Sequence, residues 1–215
     1  IPRDAPADTA TISVGASAQV SVTPDRARLV FAIETRAENA AAATTSNADL
    51  TSRAIAAVRE AAGESAELST ERFRVSPEYT RPDRDQPPRI SAYAAVNALV
   101  VVLDAPGEVG RVIDAAVAAG ANRIESLSFF ASDTREAYLA ALEQAVERAM
   151  AEAEVMARAS GGALGRVVSL SSNAVGQPAV AAFEMQAMAR ADTPIEVGDQ
   201  NVGASVRLQI QLLGR

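Results

Sequence analysis

The sequence predicts an α+β fold, a mostly antiparallel sheet with helices packed on one face. Two observations lead there. Segments of period-two alternation recur from one end of the chain to the other, and alanine- or valine-rich segments of helical spacing lie between them. The resulting order is ββα ββα βα ββ, with a long, protruding β-hairpin in the middle.

Residues 1–10 read as a flexible tail, and residues 11–215 as a single domain or two small packed lobes. Ile12, Val14, Ala16, Ala18, Val20 and Val22 alternate with Ser and Gln, as on a half-buried strand. Thr23-Pro24-Asp25-Arg26 reads as a turn, and Leu29, Phe31 and Ile33 resume the alternation, so a hairpin is expected. From Asn39 to Ala62 a helix is expected, with Leu50, Ala54, Ile55 and Val58 on its inner face and Gly63 at its C-terminus.

Residues 66–79 and Ile90–Leu103 read as two long strands. Between them TRPDRDQPPR has too many prolines and charges for a sheet interior, so it forms an exposed tip. At about 3.3 Å per residue each arm reaches roughly 40 Å. Asp104 is expected to cap a helix carrying Val109, Val112, Ile113, Ala116 and Val117 inward, ended by Gly120. A strand follows from Asn122 to Ser132. Asp133 and Glu136 have capping-box spacing for a helix that turns Tyr138, Leu142, Ala145, Val146, Ala149, Ala153 and Met156 inward and stops at Gly161-Gly162. Leu164–Ser172 and Val202–Leu213 read as strands, and 173–200 as a long loop.

Composition removes much chemistry. All 20 basic residues are arginine, and Lys, His, Cys and Trp are absent. A Ser-His-Asp triad, a Cys nucleophile, a Schiff-base lysine and His or Cys metal sites are therefore excluded within the chain. No catalytic, cofactor or metal residue is assigned, and no cofactor is expected. A net charge of −7 argues against nucleic acid. The longest apolar stretch, Ala92–Leu103, contains Asn97 and falls short of the roughly 20 residues that span a bilayer. The start at Ile1 reads as a mature N-terminus after processing, or a trimmed chain.

Carboxylates, arginines and hydroxyls remain. Glu34, Glu71, Glu78 and Glu125 fall on strands, where two converging side chains would form an acid/base pair; solvated strand faces are the simpler reading. Asp83 and Asp85 sit among prolines that fit no EF-hand loop. Gly161–Gly165 follows a helix and is no dinucleotide fingerprint. Arg81, Arg84 and Arg89 at the hairpin tip, and Phe183, Met185 and Met188 in the long loop, are candidate oligomer contacts.

Four segments in this order, ISVGASAQVSVTPDRARL, YAAVNALVVVL, AGANRIESLSF and TPIEVGDQNVGASVRLQIQL, resemble the SIMPL-domain family across Thr11–Leu213. That family includes bacterial periplasmic immunogenic and oxidative-stress-defence proteins and a eukaryotic member linked to a kinase pathway. Pro24 and Asp25 match its Pro-Asp turn. Tyr93 matches its tyrosine, with Ala92 where glycine is usual. Ser17 stands in the region of a missing first-strand glycine. Gly120, Ala121 and Asn122 match its Gly-Ala-Asn turn, and Pro194, Ile195 and Gly198 its last loop. The family offers no catalytic residues to transfer. The resemblance implies secretion to a bacterial periplasm and large ring-like homo-oligomers. The expected function is thus a non-enzymatic exported envelope protein, with a stress-protection or scaffolding role and an envelope protein as a further partner. The alternatives are a small-ligand binding module or carboxylate-based hydrolase, and a protein-interaction adaptor.

Overall fold

The computed structural model describes residues 10–63, 66–81, 87–175 and 197–214. The fold is α+β, as expected, and its strands divide between two antiparallel sheets. The elements are β1 (Thr11–Val22), β2 (Arg26–Ala37), α1 (Ala40–Ala62), β3 (Ala66–Thr80), β4 (Arg89–Leu103), a 3₁₀ turn (Pro106–Glu108), α2 (Val109–Ala118), β5 (Arg123–Phe130), α3 (Arg135–Ala159), β6 (Ala163–Val175) and β7 (Gln200–Leu213). They fall into two compact units. The first holds β1, α3, β6 and β7, and the second holds β2 through β5 with α1 and α2.

In the first unit the strand order is β1-β7-β6. β7 pairs with β1 along the whole of β1, from Thr11↔Gln211 to Val22↔Gln200. One face of this sheet presents Ile12, Val14, Ala18, Val206, Leu208 and Ile210 to α3. The helix answers with Ala145, Ala149, Ala153 and Ala157, all at i, i+4 spacing and nearly solvent-free. A methyl-sized stripe lets helix and sheet approach closely, and 25 residues of helix supply the contact area that small side chains lack.

In the second unit the order is β3-β4-β2-β5. Odd positions of β2 and β4 point to the helices, because successive strand residues alternate faces. Leu29, Phe31 and Ile33, with Leu99, Val101 and Leu103, pack against Ala54 and Val58 of α1 and Val109, Val112 and Ala116 of α2. Asn39 starts α1 by accepting the Ala42 N–H through its Oδ1 (2.8 Å). At the end of α2, Gly120 takes φ +120°, and a Cβ there would collide with the Leu50 side chain on α1. The positive φ favours glycine, and a Cβ would also oblige the Leu50 side chain to shift.

Several local expectations are corrected. β1 and β2 do not form a hairpin, since β1 pairs with β7, and β2 with β4 and β5. Thr-Pro-Asp lacks the positive-φ residues of a tight hairpin turn, and the buried Pro24 carries the chain onward instead. Asp104 caps no helix. It pairs with Arg26 Nε at 3.0 Å, and the 3₁₀ turn begins at Ala105 without a side-chain cap. The Asp133–Glu136 capping box is replaced by a local bond from the Arg135 N–H to Asp133 Oδ1 (2.8 Å), with Thr134 at the cap position. Val117 and Met156 lie outward, about half exposed. On α1, polar Asn47 and Thr51 occupy the inner stripe, and Leu50 and Ile55 flank it.

Candidate functional site

The outward face of the four-stranded sheet carries six of the eight ion pairs found among the described residues. Even positions of β2 set Arg28, Glu34 and Arg36 there. Register adds Arg72 of β3, opposite Ala98, and Arg123 of β5, opposite Ala32. Two β-bulges complete the set. One lies between Thr70 and Arg72 and leaves Glu71 unpaired in the ladder; the other leaves Glu125 unpaired beside Val30 and Phe31. A bulge re-aims the extra side chain, and both of these glutamates meet arginines.

Five of the six ion pairs on this face form a connected lattice, and Arg28–Glu71 stands apart from it. Arg36 pairs with Glu34 (3.3 Å) and Glu78 (3.1 Å), and Arg123 with Glu34 (3.5 Å) and Glu125 (3.4 Å). Arg72 reaches Glu125 at 2.6 Å, and Arg28 reaches Glu71 at 3.2 Å. Arg72 and Glu125 belong to opposite edge strands, so this contact crosses β4 and β2. The row beneath is Arg72–Ala98–Ala32–Arg123, and its two central alanines are fully buried. Only small side chains leave room for an arginine stem to lie across the sheet with its head among carboxylates. A small apolar cluster of Val30, Ala98 and Val100 occupies the same face.

Asn122 locks one corner. Its Nδ2 donates to the Glu34 carbonyl (2.7 Å), and its Oδ1 accepts the Glu34 N–H (3.0 Å). The side chain thereby imitates a strand residue, extending the β2–β5 ladder. Asn122, the last residue of the Gly-Ala-Asn turn, thus takes its partner from β2. With Glu34, Arg36 and Arg123 it lines an open hollow of about 450 Å³.

The four strand glutamates singled out from sequence thus share one face, each engaged by an arginine. The Arg123 guanidinium stands between Glu34 and Glu125, in the space where a scissile bond would have to lie for a two-carboxylate mechanism. What the lattice does chemically is hold strands together and present alternating charge. Sequence reasoning missed the arginine partners. The signal was the pairing of Arg and Glu at alternate positions of β2 and β5, legible only once register is known.

The remaining positions fall elsewhere. Asp25 accepts the Ser132 N–H (2.6 Å) and the Ser132 hydroxyl, which hold its carboxyl below the usual carboxylate range. Tyr93 is half-buried on β4, opposite Ala37 and Pro77. Gly198, Arg81 and Arg89 are exposed. Arg84, Phe183, Met185, Met188 and Pro194 lie outside the described residues. No group of acidic side chains suited to a metal, and no helix long and apolar enough to cross a membrane, occurs among the described residues.

The 26 kDa periplasmic immunogenic proteins of Brucella melitensis biotype 1 and Brucella abortus (strain S19) are each 27% identical over 214 residues, covering 94% of this chain and 85% of the relative. A family model described as SIMPL, protein of unknown function (DUF541), matches residues 12–210. The chain belongs to the SIMPL family.

Proposed function

We propose that this chain is a non-enzymatic, exported periplasmic protein that works as a self-assembled homo-oligomer, protecting or scaffolding the envelope. The observation that carries the reading is a pair of unlike apolar surfaces. In the second unit, the hairpin of β3 and β4 runs beyond β2, which stops pairing at Tyr93. Phe73, Tyr79 and Ile90 are about half exposed or more along this hairpin. In the first unit, β6 pairs only with β7 among the described residues, and Val167, Val168 and Leu170 are each about half exposed there. An apolar edge strand is a template for pairing with another chain. Two different surfaces suit the head-to-tail contacts from which closed rings arise.

The names of the Brucella relatives support the periplasmic assignment. A protective role would be indirect, since the chain has no thiol and only four methionines. Sedimentation velocity of the purified chain tests assembly. The expected result is a species several times the 22.3 kDa chain mass, dispersed by Val168→Lys or Tyr79→Lys. A monomer at high micromolar concentration overturns it. Fractionation of cells expressing the natural gene tests the location.

A further inference from the structure

We propose that the outer face of the three-stranded sheet binds a phosphate group at Arg207. This face is the reverse of the one that packs on α3. Register aligns three rows across β1, β7 and β6: Ser13–Gln209–Ser169, Gly15–Arg207–Ser171 and Ser17–Ser205–Asn173. Every side chain in these rows is small or neutral and polar except Arg207. Gly15, Ala16, Ser17, Asn173, Ser205, Val206 and Arg207 line a hollow of about 300 Å³.

Arg207 differs from four arginines on the charged face of the other sheet. Arg28, Arg36, Arg72 and Arg123 each hold a carboxylate. Arg207 has no ion pair among the described residues, and the neighbours it faces supply no anion. Gly15 has no side chain on one side of it, and Ser171 has a short one on the other, so the guanidinium is free to fold over the sheet. From the helix side, Arg148 donates to the Ser17 carbonyl (2.9 Å), adding a second positive charge at the β1 edge.

The donor set selects the ligand. A guanidinium offers a planar fork that two oxygens of an oxyanion fill. A planar carboxylate would be satisfied by that fork alone. A tetrahedral phosphate presents further oxygens out of the plane, toward the hydroxyls of Ser17 and Ser171, one residue pair away along and across the strands. The Ser205 hydroxyl is already directed to the Asn173 carbonyl (3.3 Å). Two arginines on a chain of net charge −7 suit an isolated phosphate group and not a polyanion.

The test titrates inorganic phosphate against the full chain at constant ionic strength, read by phosphorus NMR line broadening. The expected result is saturable broadening that chloride does not compete away. Arg207→Gln weakens it about tenfold or more, Arg207→Lys less, and Ser17→Ala with Ser171→Ala by a few-fold. Arg207 is exposed, so circular dichroism of these variants should match the parent. A parallel arm measures co-sedimentation with phosphatidylcholine vesicles with and without phosphatidic acid. Arg207-dependent capture by the doped vesicles alone assigns the phosphate to a lipid headgroup; broadening by free phosphate without capture assigns it to a soluble ligand. Non-saturating broadening, or equal binding by Arg207→Gln, together with no Arg207-dependent capture, overturns the proposal. None of these outcomes depends on whether the chain assembles.

Discussion

Arg72 and Glu125 sit on opposite edge strands of the four-stranded sheet and meet at 2.6 Å. The contact closes a charged strap over Ala98 and Ala32, the small residues that occupy the central strands in that row. It links the two bulged edges, so its removal should be felt in sheet geometry as well as in charge.

A double-mutant cycle with Arg72→Ala and Glu125→Ala should give a coupling of about 0.5–1 kcal/mol at low salt, because both groups are partly exposed. The coupling should shrink in molar NaCl, where the screening length falls to about 3 Å. Arg72→Lys should not restore it, since a lysine carries no fork to hold the carboxylate. Chemical denaturation at two salt concentrations measures all three.

The Asp25 carboxylate is held ionised by Ser132, first through the hydroxyl and then through the backbone N–H. Its folded pKa is lowered, so the stabilisation is present above the unfolded value of about 3.9 and is lost as pH falls below that value through the folded one. Asp25→Ala should cost about 1 kcal/mol at pH 7 for an exposed charge-assisted pair, and much less near pH 2. Equal losses at both pH values in urea titrations would contradict this.

Asn122→Ala should remove both bonds to the Glu34 backbone. Water reaches the vacated groups, so the expected loss is about 1 kcal/mol. Asn122→Asp keeps the acceptor and loses the donor, and should fall between. Amide exchange at Glu34 should speed up in Asn122→Ala more than at Leu29, deeper along the same strand, and much less in Asn122→Asp, which keeps the acceptor for the Glu34 N–H.

Gly120 and Leu50 give a separable pair. Gly120→Ala must hold an L-residue at φ +120° and displace Leu50, for a cost of about 2–4 kcal/mol. In a Leu50→Ala background the collision is gone and only the backbone strain of about 1–3 kcal/mol remains. If the two losses simply add, the collision is not the cause.

How much of this was legible depends on the range of the interaction. Element order and type followed from local periodicity, as in the β4 run Ala94–Leu103, where almost every side chain is buried. Partners did not. Nothing local in Ile12–Val22 says that it pairs with the C-terminal strand, and proximity in sequence suggested β2 instead. The glutamates of the charged face were visible, but their arginines depend on register and on two bulges that alternation cannot reveal. The inner face of α1 was misread because polar side chains were assigned outward, when two of them bond to the sheet.

Those two residues carry the last prediction. Asn47 is fully buried, and its Nδ2 donates to the carbonyls of Ile33 (2.7 Å) and Ala95 (3.0 Å), joining α1 to β2 and β4. Thr51 connects it onward to Asn97, whose Nδ2 donates to Thr51 Oγ1 at 3.3 Å. The chain of bonds ends badly there, since Asn97 Oδ1 is buried without a partner among the described residues. The two asparagines should therefore respond in opposite ways. Asn47→Leu leaves carbonyls without their donor and should cost about 2 kcal/mol or more. Asn97→Val removes an unsatisfied acceptor at a strand position that favours a β-branched side chain, and should be neutral or stabilising by about 1 kcal/mol. Thermal unfolding of the two single variants decides it: a large loss for Asn97→Val would mean that its Oδ1 is satisfied in solution by a bound water.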